Sequence, residues 1–213
     1  MLKMMAIGGA AMALLAPISS PANTANSMPP TSKVKVEVVT VNGSGCPNGS
    51  AVVTERSDNT AFTVTYSDFL AQAGVGAKPT DFRKNCQINL RVHVPQGYTY
   101  AIAQAGYHGF AHLEEGASGL QEANYYFQGS SQTVPVSHVL HGPFEGGWQN
   151  TDTADVEALV YKPCGEDRGL NINTELRVNV GTSNPEKTTS FMTMDSTHGS
   201  VHTVYQFSWK RCP

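Results

Sequence analysis

Residues 170–180 read LNINTELRVNV. Side chains alternate between faces along an extended chain, so Leu170, Ile172, Leu176, Val178 and Val180 share one side, and Asn171, Asn173, Glu175, Arg177 and Asn179 share the other. One dry face and one wet face indicate an antiparallel sheet covered on a single side. The same period of two recurs on both sides of this stretch. In KVKVEVV, from Lys33, it groups Val34, Val36 and Val38; in TAFTVTY it groups Phe62, Val64 and Tyr66. CQINLRVHV groups Ile88, Leu90, Val92 and Val94, and VHTVYQFSW groups Val201, Tyr205, Phe207 and Trp209. Turn signals separate the runs at Asn42-Gly43, Asn48-Gly49, Pro95-Gln96-Gly97, Gly146-Gly147 and Ser183-Asn184-Pro185. Many short strands with frequent turns predict an all-β fold, an antiparallel two-sheet β-sandwich of Greek-key or jelly-roll type with at most short helices. The helical candidates are Ser67–Ala73 (SDFLAQA) and Thr153–Val160, the second of which also alternates like a strand.

The 213 residues fit one domain, and 15% charged residues with 20 Gly and 12 Pro exclude a coiled coil and a charge-dense disordered chain. Net charge is −3, and the basic residues occur as scattered pairs, which argues against a nucleic-acid partner. The start, MLKMMAIGGAAMALLAPISSPANTA, has one lysine, a short apolar run and then small residues. Residues 1–25 are therefore expected to be a secretory signal peptide cleaved after Ala22 or Ala25, since a membrane anchor needs about 20 consecutive apolar residues. Residues 26–32 read as a flexible polar leader and 33–213 as a single domain with no internal repeat and no later membrane span.

Cys46, Cys86, Cys164 and Cys212 are even in number and contain no CxxC, which in an oxidising compartment argues for two disulfides rather than a redox or zinc site. Three pairings exist. The sequential one, Cys46–Cys86 with Cys164–Cys212, is expected because each bridge ties a strand end to its own half; a crossed pairing would staple the halves and is left open by the sequence.

No motif fixes a reaction. Seven histidines include the pairs His108/His112, His138/His141 and His198/His202. A pair four residues apart on a strand lies roughly 13 Å apart at about 3.3 Å per residue, so no metal and no cofactor are expected. His93 falls on a polar strand face. There is no G-x-S-x-G, H-E-x-x-H, S-x-x-K or phosphate loop. Glu114/Glu115 and Glu166/Asp167 are neighbours that would point to opposite faces of a strand, and the acidic stretch at Asp152 and Asp155 lacks the ordered calcium-loop pattern. Aromatic residues concentrate in GYTYAIAQAGYHGFAHL and EANYYFQG. Tyr125 and Tyr126 must face opposite ways, so an aromatic edge of Tyr98, Tyr100, Tyr107 and Tyr126 is the candidate binding surface for a sugar ring or a protein. The alternative is that these rings fill the core with their hydroxyls at its rim. Asn42 and Asn48 open N-x-S sequons, usable in a host that glycosylates secreted proteins.

GSGCP (43–47), RKNCQINLRVHVPQG (83–97), GASGLQEANYYFQG (116–129), LNINTELRV (170–178) and WKRC (209–212) occur in this order along the chain and together resemble a family known as domain of unknown function 4360, small secreted proteins of fungi and bacteria. The resemblance implies a secreted β-sandwich with cysteines at these four positions, and carries no activity or catalytic residue. The resulting expectation is a secreted, extracellular or cell-wall-associated, non-enzymatic interaction domain whose partner is a glycan or a cell-surface protein. A secreted hydrolase of polysaccharides or esters is the first alternative, and a structural wall or matrix protein the second.

Overall fold

The structure is a computed structural model, and it describes residues 28–131, 135–194 and 202–213. The signal-peptide stretch, residues 1–25, lies outside the described residues, as do Asn26 and Ser27 of the leader and His198.

Among the described residues twelve strands form two antiparallel sheets. The first has the order β1 (Lys35–Asn42), β5 (Arg83–His93), β10 (Leu170–Asn179), β7 (Ser118–Phe127), β8 (Val136–His141). The second is built on β6 (Tyr98–Leu113), the longest strand. β12 (Thr203–Arg211) pairs with its first part and β11 (Thr189–Thr193) with its second, along one edge, while β9 (Phe144–Thr153) takes the other edge. β3 (Ala61–Tyr66) and β2 (Ala51–Glu55) extend the sheet beyond β12, and β4 (Leu70–Gly74) beyond β11. The fold is thus the expected two-sheet sandwich, with a single 3-10 turn, Val156–Ala158, as helix among the described residues.

The expected dry faces meet between the sheets. Leu170, Ile172, Leu176 and Val178 of β10 and Ile88, Leu90 and Val92 of β5 pack toward Phe62, Val64, Tyr66, Tyr205 and Trp209. An aromatic cluster forms where β3, β6, β7 and β12 converge: Phe62 stacks on Tyr205 at 5.0 Å, and Tyr100 meets Phe127 and Phe207 edge-on at 5.3 and 5.2 Å.

Local departures from the sequence reading have physical causes. The β1–β5 register shifts between Val38 and Thr40, so Val41 rather than Thr40 packs on the core, and Val38, beside the bulge, is exposed. Ser67–Ala73 is not a helix: Phe69 and Ala71 are buried with a period of two, and β4 gains a full ladder with β11, which outweighs the weak propensity of so short a helix. Gly146 and Gly147 lie inside β9 rather than in a turn, because β9 is held along its length by β6.

The leader is pinned where it meets the domain. Asn59, buried in the β2–β3 turn with φ 56°, donates from Nδ2 to the carbonyls of Pro30 (2.7 Å) and Ser32 (3.0 Å) and accepts from Val34 N–H (3.0 Å). Its own carbonyl accepts from Trp209 Nε1 (2.8 Å), so one residue ties the start of the domain to its last strand.

Cys46 is bonded to Cys86 and Cys164 to Cys212, the sequential pairing. Loops of 40 and 48 residues are closed. Each bridge contributes about 4 kcal/mol in the chain-entropy estimate, before any native strain. The second holds the end of β12 beside Gly97, whose carbonyl accepts from Cys212 N–H.

Two measurements follow from this packing. Asn59→Ala should lower unfolding free energy by about 3 kcal/mol, three hydrogen bonds at roughly 1 kcal/mol each, with a further cost because alanine disfavours positive φ; denaturant titration checks it, and a loss below about 1 kcal/mol would contradict the role assigned to Asn59. Burial raises the phenols of Tyr66, Tyr100, Tyr107 and Tyr205 above their ordinary value of 10. A phenol with a raised folded-state pKa stabilises the fold below pH 10 and ceases to do so as pH rises through the folded value. Near-UV absorbance titration should therefore find these four of the eight tyrosines silent until alkaline unfolding, and a smooth ionisation of all eight near pH 10 would contradict their burial.

Candidate functional site

After β8 the chain crosses from the edge of one sheet to the edge of the other, so β8 and β9 face each other across the open side of the sandwich. A recess of about 200 Å³ opens there. Ile102, Tyr125, Tyr126 and Phe127 form its wall together with Val136, Ala158, Leu159 and Val160, and Asp152 is the sole acidic residue lining it among the described residues.

The position of Asp152 follows from register. β9 pairs with β6 so that Asp152 lies opposite Ala105, Asn150 opposite Tyr107 and Trp148 opposite Gly109. Gly109 is required at that point, since a Cβ there would stand 2.3 Å from the Trp148 ring. Asp152, Asn150 and Trp148 share the inner face of β9, and His138 and Gln121 meet them from β8 and β7. Asp152 Oδ1 is 2.5 Å from His138 Nε2, and Asn150 Nδ2 donates to Gln121 Oε1 at 3.1 Å. The Asp152 side chain is 4% exposed and that of His138 is 29% exposed, so the pair closes the gap between the sheets from a mostly buried position.

This seam is polar beyond what the fold consumes. Asp152 and Tyr107 Oη face each other without a hydrogen bond in good geometry, and Gln121 Nε2 and Trp148 Nε1 are buried with no hydrogen-bond partner among the described residues. Such groups cost folding energy, about 1–3 kcal/mol each, and most buried polar atoms avoid that cost by pairing. Burial raises the Tyr107 phenol, and the Asp152 charge raises it further; the Tyr125 phenol is raised in the same order of causes. Burial is thus the main cause for both tyrosines, and the Asp152 charge adds to it. Chemically, the recess offers aromatic and aliphatic walls, one carboxylate oxygen able to accept a hydrogen bond, and an imidazole beside it.

The structure does not gather the tyrosines of the expected aromatic edge. Tyr100 and Tyr107 are fully buried in the core, because the register shift of β6 against β12 between them turns both toward the other sheet, and so they cannot present a platform to solvent. Nor do their hydroxyls find partners at a rim. Tyr126 lines the recess. Tyr98 lies apart, in a cleft beside the Cys164–Cys212 bridge, with the Arg211 guanidinium 3.9 Å above its ring and Trp209 edge-on at 6.3 Å. Asn42 and Asn48 are both exposed.

The histidines are dispersed. His93 pairs with Glu37 at 2.8 Å, His112 with Glu114 at 3.2 Å, and His108 stacks on His202 at 5.1 Å. Among the described residues no three His, Cys, Asp or Glu side chains gather as a metal site, and no helix is long and apolar enough to cross a membrane. Asp152 with His138 is the combination that sequence reasoning missed. It had placed Asp152 in an acidic loop with Asp155 and grouped His138 with His141, and nothing local to either residue signals the register that brings β8 to β9.

Among solved structures the chain is similar to the enzymatically active domain of bacteriophage CBA120 tailspike protein 4, with TM-score 0.23 and 10% identity over 90% of this chain and 21% of that one, a likeness that carries no argument. The chain thus spans about a fifth of that structure's length. An uncharacterized secreted protein of Arthroderma benhamiae is 32% identical over 192 residues, which cover 90% of this chain and 77% of the relative. A family model described as Domain of unknown function (DUF4360) matches residues 32–212, from the pinned end of the leader to the last cysteine. The chain belongs to the DUF4360 family, whose function is unknown.

Proposed function

We propose that the protein is a secreted, non-enzymatic binding domain that holds a neutral, hydroxyl-rich group, one sugar residue of a glycan, in the recess between β8 and β9. The observation that carries this reading is the pairing of an aromatic wall, Tyr125 and Phe127, which turn to the same side of β7, with the Asp152 carboxylate. Sugar rings stack their apolar faces on aromatic rings and donate hydroxyl protons to carboxylates, so both needs are met in one place. An anionic ligand would meet the Asp152 charge without a countercharge among the residues lining the recess. Two disulfides fit an extracellular location, as does the secreted relative, and attachment to the glycans of a cell wall would follow from the proposed ligand.

Asp152 with His138 also favours a second reading, the hydrolase. A carboxylate that orients an imidazole is the acid–base half of a hydrolytic site, and Ser131 lines the same recess. Glycosidase chemistry needs two carboxylates about 5–10 Å apart, and the recess lining supplies one.

Calorimetric titration with neutral oligosaccharides of β-glucan, chitin and mannan type tests the proposal. Binding to at least one series is expected, weakened tenfold or more, about 1.4 kcal/mol, by Tyr125→Ala and by Asp152→Asn. Absence of binding across all series, or equal binding by wild type and both variants, would reject the recess as the site. Release of new reducing ends during the titration would establish the hydrolase reading instead.

A further inference from the structure

The outer face of the five-stranded sheet carries a second, independent signal. Register places Asn42, Gln87, Asn173 and Asn124 side by side across β1, β5, β10 and β7. This is one unbroken row of amides, spanning three strand spacings of about 4.8 Å each. The adjoining row brings Asn89 beside Asn171, whose amides bond at 2.9 Å. Asparagine is depleted in strands, where it packs poorly and competes for backbone hydrogen bonds. A sheet that places this many amides mid-strand is less stable than one with threonine there, so the fold does not account for them.

The same face is concave. A trough of about 310 Å³ has Gln87, Asn124 and Asn173 along it and Pro135 at its side. Charge borders the amide row: Arg83, Glu122 and Glu175 also line the trough, and Glu122 accepts from Ser137 Oγ at 2.7 Å. At one end Glu175 accepts from Arg83 (2.5 Å) and from Arg177; at the other, Arg91 lies 3.4 Å from Asp167 and His93 pairs with Glu37. Burial raises the Glu175 carboxyl, but the two arginine bonds outweigh it and hold the group below its ordinary range. The amide row itself is therefore uncharged and polar and both donates and accepts, with Glu175 and Glu122 side by side along one border.

The geometry points to this trough as a binding site for a strand of neutral polysaccharide, distinct from the recess between β8 and β9. Amides match hydroxyls because each side chain both donates and accepts, and a neutral polymer needs no countercharge. An acidic polymer would find no free cationic row, and a protein partner would find none of the apolar, aromatic centre that protein interfaces bury.

Co-sedimentation of the full secreted protein with insoluble cellulose, chitin and β-1,3-glucan, with soluble polygalacturonate in a parallel assay, tests the inference. Wild type should bind at least one of the three neutral polymers and not polygalacturonate. Gln87→Thr with Asn173→Thr should weaken that binding tenfold or more while melting no earlier than wild type, since threonine favours strands. A purely structural role for the amides would lower melting temperature and leave binding of the folded fraction intact, which would overturn the inference. Equal binding by wild type and the double variant, or retention by polygalacturonate alone, would also overturn it. Loss of polymer binding in Asp152→Asn with none in the double variant would transfer the polymer site to the recess and reject the trough.

Discussion

Both edges of β6 must find backbone partners over most of a sixteen-residue strand, much of it in a place water does not reach. Unpaired buried amides and carbonyls are too costly to leave, so the strand's length dictates how the rest of its sheet is assembled. No single partner covers one edge: β12 serves residues 98–107 and β11 serves 110–112. β9 covers residues 104–113 on the other edge, and in doing so sets Asp152 opposite Ala105 and Trp148 opposite Gly109. The small residues of β6 leave room on that side of the sandwich for a tryptophan and a carboxylate to turn inward. The candidate recess is thus a consequence of how β6 satisfies its backbone.

The legible part of the fold is the part where one face is dry and the other wet. β3, β5 and β10 show clean alternation and occupy the positions that alternation implies. β9 was not legible. Its sequence, FEGGWQNTDT, has a glycine pair and no hydrophobic period, and it is a strand because β6 supplies its ladder. β4 was obscured in another way, since seven residues of SDFLAQA satisfy a helical pattern and a strand pattern equally, and the ladder with β11 decides. The bulge at Val39 puts Val41 rather than Thr40 on the core side for a reason no periodicity contains: a single inserted residue reverses the faces that follow.

The site was less legible than the fold for a related reason. Tyr126 could be named because two adjacent tyrosines on a strand must face opposite ways. Tyr100 and Tyr107 could not be assigned from local pattern, since an aromatic residue on a strand looks the same in a core as at an edge. Asp152 and His138 lie fourteen residues apart on strands of different sheets, and their meeting is a property of two registers and one crossing between sheets. The disulfides were easier, because the strands they join had already been located and each bridge closes a loop within its own half.

The core itself contains a tension that the bridges help to relieve. Tyr66, Tyr205 and Thr174 turn their hydroxyls toward one another, yet these hydroxyls, with those of Tyr100, Tyr107 and Thr203, are buried without a hydrogen bond in good geometry among the described residues. Each such group subtracts from a net stability that in folded domains is typically about 5–15 kcal/mol. Two disulfides at about 4 kcal/mol apiece are of the same order as that deficit, which makes a polar interior tolerable in a domain of this size. The same reasoning separates the surface amides from the buried hydroxyls. Tyrosine brings large apolar area to the core and the hydroxyl comes with it, so its presence there is explained by packing. A row of asparagine and glutamine on an open sheet brings neither area nor strand propensity, and departures of that kind from local preference are what binding surfaces leave in a sequence.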